Sequence, residues 1–224
     1  TSEISAKALQ YKKEISSSSE RITKLGLKSH HDNQKDWDTL LTFMAINTIE
    51  TNQIRGLDAG SGQKSVILQW VRTKFPDSEL HACDRINQKQ VIFKDLGIKF
   101  LVQDMSNTNY VDSYFDFVSS ISVIEHGVDV FSFIKEMHRI LKPSGILTIS
   151  TDYWDKKRVF PDKFPYGKKY GAMKLFSKDE ILSVCDYAKS IGFELINDLE
   201  SDQLDCCEKA VRWERMQEDY TFCF

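Results

Sequence analysis

The sequence predicts an α/β protein whose parallel sheet carries helices on both faces. Three observations predict it. Four short apolar runs recur along the chain, around 54–58, 79–84, 98–102 and 115–121. Segments with apolar residues at helical spacing separate them, notably 66–74 and 131–141. A glycine turn, Asp58-Ala59-Gly60-Ser61-Gly62, follows the first run directly. Strands alternating with helices call for crossover connections and hence a parallel sheet. In such sheets ligands sit beyond the carboxyl ends of the strands.

Each element can be justified in order. Residues 1–34 are polar, and Ser16-Ser17-Ser18-Ser19 reads as a flexible joint between a short leading helix and the body. Trp37, Leu40, Leu41, Met44, Ala45 and Thr48 share one face of a helix over 36–49. Ile54 to Asp58 is strand one. Glycines at 60 and 62 permit positive φ and close approach of backbone to a ligand. The helix after them, Val66 to Lys74, offers free N–H groups at its start. Strand two ends in Asp84, roughly 20 residues past the glycines, where an acid suits the two hydroxyls of a ribose. Strand three ends at Gln103-Asp104-Met105, and strand four, from Phe115, runs into Glu125-His126. A turn at Lys142-Pro143-Ser144-Gly145 precedes strand five, Ile146 to Ser150. Ser177 and Glu180 form a capping box for a helix reaching about Ser190. Phe193 to Ile196 and Tyr220 to Phe224 read as strands six and seven. The chain ends inside that last expected strand, as a shortened chain would.

Other nucleotide folds fit less well. A dinucleotide fingerprint needs a third glycine where Ser65 stands, and no later Tyr-x-x-x-Lys follows. Gly62-Gln63-Lys64-Ser65 matches the end of a phosphate loop, but the preceding glycine spacing is wrong.

These residues resemble the class I S-adenosylmethionine-dependent methyltransferases, in their small-molecule branch, over about residues 35–224. The resemblance implies a Rossmann-like, seven-stranded, mostly parallel sheet with an antiparallel C-terminal edge hairpin. It implies S-adenosylmethionine as cofactor. Asp58, Ala59, Gly60 and Gly62 would hold its methionine part, and Asp84 its ribose. Arg85 would flank the adenine, with Asp104 and Met105 at its amino group. Ser120, Ile121 and Ser122 would line the sulfonium. Val123-Ile124-Glu125-His126 and Ile140-Leu141-Lys142-Pro143-Ser144-Gly145 also match the family's later signatures. The stretches Asp32 to Leu41, Ser150 to Trp154 and Cys207 to Trp213 resemble a subgroup found with bacterial glycan-assembly enzymes. That subgroup implies a sugar or glycan-precursor hydroxyl as acceptor.

Composition agrees with a small-molecule enzyme. Of 224 residues, 41% are hydrophobic and 28% charged, an ordinary balance for one α/β domain. Two parts are expected: a helical cap over 1–50 and a methyltransferase domain over 51–224, with a substrate lid around 152–175. The net charge of −3 and the short, interrupted lysine runs speak against a nucleic-acid substrate. The loop after strand four also lacks Asn/Asp-Pro-Pro-aromatic and Pro-Cys motifs. No apolar run reaches about 18 residues, so no membrane span is expected. Five cysteines without a Cys-x-x-Cys pair, and no secretory-signal pattern at the start, point to a reduced cytoplasm. Vicinal Cys206-Cys207 is read as incidental.

Two catalytic bases are candidates. His126 follows strand four, and an imidazole can take a hydroxyl proton; the alternative is that it caps the next helix. Asp152 leaves the carboxyl end of strand five. Tyr153 and Trp154 beside it would either stack on a ring or cover the C-terminal helix. No metal is expected, because Ser122 stands where metal-binding relatives of Glu125-His126 carry an acid. His30, His31 and Asp32-Asn33-Gln34-Lys35-Asp36-Trp37 form a polar group that either touches the cofactor or acceptor or caps a helix. Methylation of nitrogen or carbon on another metabolite is the alternative activity, and a catalytically silent cofactor-binding partner protein the alternative class.

Overall fold

The computed structural model describes residues 8–87, 91–205, 208–214 and 217–224. Two helices come first, α1 (Lys12–Lys24) and α2 (Asp36–Ile46). Then follow β1 (Arg55–Ala59), α3 (Val66–Lys74), β2 (Glu79–Asp84), α4 (Val91–Asp95), β3 (Lys99–Val102) and β4 (Phe115–Ile121). The rest comprises α5 (Val130–Ile140), β5 (Leu141–Tyr153), β6 (Arg158–Val159), β7 (Lys174–Leu175), α6 (Lys178–Ser190), β8 (Val211–Trp213) and β9 (Glu218–Cys223).

The main sheet has seven strands in the order β3-β2-β1-β4-β5-β9-β8. The first five are parallel; β9 runs antiparallel to both β5 and β8. The expected Rossmann-like sheet with an antiparallel edge is thus present. The strand order reverses between β1 and β4, so their carboxyl ends flank a crevice.

Alternation along the buried strands divides the core. Val118 and Cys83 pack with α5 and α6 on one face, whereas Phe117 and Ala82 pack with α1, α2, α3 and α4 on the other. A third apolar group, including Trp37, Phe160, Met173, Tyr220 and Phe222, joins α2 to the antiparallel edge and the β6–β7 ladder.

Three expectations need correction. Ser16 to Ser19 are not a joint, because they lie inside α1. Ser17 and Ser19 return their hydroxyls to the carbonyls of Glu14 and Ile15 (both 3.3 Å), and Ser19 Oγ donates to Asp36 Oδ2 at 2.7 Å. Together with buried Ile22, these contacts override the low helix propensity of serine. Residues 193–196 do not form a strand. Ile196 is 69% exposed there, while Val211 and Tyr220, both buried, pair in register across β8 and β9. Finally, β5 begins at Leu141, ahead of the expected turn, and reaches Ile146 through an irregularity opposite Phe115–Phe117.

The capping box forms as expected: Ser177 Oγ accepts from Glu180 N, and the Glu180 carboxylate accepts from Ser177 N. Cys83, Cys185 and Cys223 are in no disulfide, and Cys206-Cys207 lie outside the described residues. Among the described residues no helix is long and apolar enough to cross a membrane.

Candidate active site

The glycine turn is locked to the end of β2. Gly60 N and Ser61 N donate to the Cys83 carbonyl at 2.9 and 3.1 Å. Asp84 then accepts from Gly62 N (3.1 Å) and Ile86 N (2.8 Å), which places its carboxyl at the mouth of the turn. Gly60 has φ +82°, and a Cβ there would stand 2.4 Å from Val123 Cγ1. Only glycine allows this turn to pack against the loop after β4.

Two cavities flank the turn. The smaller, about 120 Å³, is lined by Asp84, Arg85, Ile86, Met105, Val123 and His126 among others. The larger, about 490 Å³, is lined by His30, His31, Lys35, Asp58 and Ile121 among others. Both touch Gly60, Gly62, Ser122 and Tyr166, so one elongated ligand can occupy the two.

Most residues singled out in the sequence therefore meet here. Asp58, Gly60, Gly62, Asp84, Arg85, Met105, Ile121, Ser122 and His126 line one cavity or both. Ala59 and Ser120 lie behind them, fully buried. Asp104 stands beside the smaller cavity, where it accepts from Arg85 at 2.6 Å and from Ser106 N at 2.8 Å. Asp152 lies beneath the site, 3% exposed, and lines neither cavity. Tyr153 is core, with its hydroxyl on the Leu204 carbonyl. The half-buried Trp154 lies under Lys209 Nζ, 4.7 Å from the ring centroid.

Burial sets the charge states. It raises Asp58 to about 6, against hydrogen bonds from Ser65 and Ser119. Below the larger cavity it raises Asp38 and Glu125 to about 6 as well. Burial and then the Glu125 charge push Asp152 well above the usual carboxylate range. These three acids have their own partners: Ser150 Oγ donates to Asp38 at 2.7 Å, Thr151 Oγ1 to Glu125 at 3.0 Å, and Tyr220 to Asp152.

His126 behaves in the opposite sense. Burial, and secondarily the charge of Lys35, lower it to about 4, so its imidazole is neutral at physiological pH. It does not cap the next helix; Asp129 does, accepting from Ser132 N. The turn that carries it is clamped by backbone contact, since Gly127 and Gly171 leave no room for a Cβ between them. Among the described residues Ser122 Oγ, Glu125 Oε1 and His126 Nδ1 are buried without a hydrogen-bond partner.

Sequence reading missed Gln103, Tyr166 and Tyr170 as cavity residues. Lys35 belongs to the polar run before the apolar helix, and the structure places it on the wall of the larger cavity with His30, His31 and Asp32. The tyrosines come from the long polar loop, where nothing local says which residue turns inward. Among the described residues no three His, Cys, Asp or Glu side chains are grouped to hold a metal ion.

Residues 57–149 match the family model of a methyltransferase domain. The fold is similar to that of Burkholderia thailandensis 1,6-didemethyltoxoflavin-N1-methyltransferase, solved with 1,6-didemethyltoxoflavin and S-adenosylhomocysteine. There the TM-score is 0.57 at 14% identity, over 96% of this chain and 89% of that one. It is similar also to Haemonchus contortus phosphoethanolamine N-methyltransferase 2 with S-adenosyl-L-methionine (0.54, 21%). That match covers 70% of this chain and only 37% of the nematode enzyme. An S-adenosylmethionine-dependent methyltransferase from Mesorhizobium loti gives 0.52 at 15%, over 69% and 80%. No curated protein matches the sequence. Residues 57–149 thus match a methyltransferase domain, on a fold similar to that of solved S-adenosylmethionine-dependent methyltransferases.

Proposed function

We propose that the protein moves a methyl group from S-adenosylmethionine to a hydroxyl of a small acceptor, a sugar or glycan precursor. The observation that carries this reading is His126, a neutral imidazole on the wall of the smaller cavity beside Ser122. The residues fit the cofactor. Gly60 provides a cradle that a Cβ would fill, Asp84 faces the ribose position, and Ser122 Oγ lacks a partner. When bound, S-adenosylmethionine supplies a methyl carbon already activated by its sulfonium.

The chain's own work is positioning and proton removal. Asp58 and the glycine turn orient the amino-acid end; Asp84 and Met105 orient the nucleoside. His126 would accept the proton of the acceptor's hydroxyl as that oxygen takes the methyl group the donor supplies. Asp152 does not serve as base, because it is buried beneath the site and lines neither cavity. Tyr166 and Trp213 stand edge-on to His126, with centroids 4.8 and 6.2 Å away. Tyr166, which lines both cavities, gives an apolar wall that suits the flat face of a sugar ring, and the loop carrying it would act as the lid.

Two of the solved relatives are, by name, N-methyltransferases, so amines form the second arm of the test. Purified protein is incubated with S-adenosylmethionine and panels of nucleotide sugars, glycan precursors and amines, and S-adenosylhomocysteine release is followed. Turnover with a hydroxylated carbohydrate and an O-methyl product by NMR is expected. Turnover confined to amines would overturn the acceptor assignment. Failure to bind S-adenosylhomocysteine would overturn the whole reading.

A further inference from the structure

The larger cavity contains a cation that the transfer chemistry does not use. Lys35 closes the short 3₁₀ turn Asn33–Lys35 and directly precedes α2, so its backbone is fixed from both sides. Asp32 caps that turn by accepting from Gln34 N at 3.1 Å. The Lys35 side chain is half-buried and lines the cavity with Asp58, Gly60, Ser122 and Tyr166. Among the described residues its ammonium makes no ion pair; the Phe222 ring lies beneath it, 5.3 Å from Nζ to centroid.

The buried acids below do not account for it. Asp38, Glu125 and Asp152 all feel its charge, but none makes an ion pair with it among the described residues; Ser150, Thr151 and Tyr220 donate to them, and Glu125 Oε1 is left without a hydrogen-bond partner. A half-buried ammonium on a cavity wall without an ion pair leaves its charge for an anionic ligand to meet.

The shape of the site says which part of a ligand arrives there. Asp84, Ile86 and Met105 belong to the smaller cavity, so a nucleoside lies on that side of Gly60 and Gly62. The other end of the same molecule then enters the larger cavity. Four basic side chains line it: His30, His31, Lys35 and Lys64. His30 is held neutral, lowered to about 4 chiefly by burial and then by its neighbours His31 and Lys35. His31 and Lys64 are exposed, where an ion pair is weakened by water and salt. Lys35 is the half-buried lysine of the set, where an ion pair with a ligand is less weakened by water and salt.

We propose that Lys35 holds the α-carboxylate of the methyl donor and so fixes the amino-acid end of the cofactor from outside the glycine motif. This rests on the donor being S-adenosylmethionine. Lys35 is thereby a positioning residue whose effect depends on the carboxylate and on nothing in the acceptor.

The test compares two ligands that differ at that end. S-adenosylhomocysteine carries the carboxylate; 5′-methylthioadenosine keeps the nucleoside and thioether without it. Calorimetry is run on the wild type and on Lys35→Met, Lys35→Arg and Lys64→Met. Lys35→Met should weaken S-adenosylhomocysteine about ten- to hundred-fold, as loss of a charge-assisted contact does. It should leave 5′-methylthioadenosine within about two-fold of wild type, which also shows that the variant is folded. Lys35→Arg should recover most of the loss, and Lys64→Met should match wild type. Equal weakening of both ligands by Lys35→Met, or none, would overturn the proposal; so would a carboxylate-selective loss in Lys64→Met. A wild type that binds neither ligand would instead remove the donor itself, which is a distinguishable failure.

Discussion

His126 stands edge-on to Tyr166, with ring centroids 4.8 Å apart and planes at 80°. This contact joins the turn after β4 to the long loop that leaves β5 and helps bury the imidazole. Burial is what keeps His126 neutral, so the loop tunes the proposed base as well as covering it.

His126→Ala should therefore lower kcat/KM by about 10²- to 10⁴-fold, the usual worth of a positioned base. Binding of S-adenosylhomocysteine should stay within about two-fold of wild type. Because the residue titrates near 4, the acid limb of the wild-type rate profile should lie well below 6.5. An unchanged rate in His126→Ala, or a limb near 6.5, would assign the proton transfer to another group.

Asp38 gives a stability test with a definite sign. It is buried in α2 beneath the cavity, with its pKa raised from 3.8 to about 6, first by burial. The folded state thus holds the Asp38 proton more tightly than the unfolded chain. The stabilisation this brings is fully present below about 4 and is lost as pH rises through about 6. Asp38→Asn removes the titration while keeping an acceptor for Ser150 Oγ. Relative to wild type, the variant should gain stability between pH 4 and 7, by roughly 2–3 kcal/mol at most. Terms shared by both proteins, such as His30 and His126, cancel in the difference. Denaturant unfolding of both proteins across that range checks it; a flat difference would mean that the burial cost is relieved elsewhere.

How much of this was legible in the sequence follows from which interactions are local. The strand ends at Asp58, Asp84 and Asp104, the turn at Gly60 and Gly62, and the Ser177–Glu180 cap are written in contiguous residues, and each lies where its pattern predicts. The serine run misleads because propensity is a weak prior, and the Asp36 contact that settles α1 comes from another helix. Phe193 to Ile196 misleads for the same reason, since strand pairing is decided by which segment reaches the edge of β5. Lys35 lies in a polar run that marks it as a candidate, whereas Tyr166 enters the site only through the packing of its long loop on the sheet, which no local pattern encodes.

The two glycines of the turn should part company on substitution. Gly60 (φ +82°) and Gly62 (φ +58°) both occupy the left-handed region, so alanine costs about 1–2 kcal/mol at either from backbone strain alone. Their surroundings differ. Nothing lies within 4 Å of a Cβ built at Gly62, whereas one at Gly60 meets both Val123 methyls at 2.4 and 2.6 Å. Val123 belongs to the turn that carries Ser122 and His126, so relieving the clash must move the site itself. Gly62→Ala should lower the melting temperature by roughly 2–4 °C per kcal/mol and keep measurable cofactor affinity. Gly60→Ala should lose at least about twice as much stability and most of its S-adenosylhomocysteine binding. The double variant Gly60→Ala, Val123→Ala tests the cause, because removing the methyls should restore part of the binding. If it restores none, backbone conformation and not the Val123 contact governs the requirement for glycine at 60.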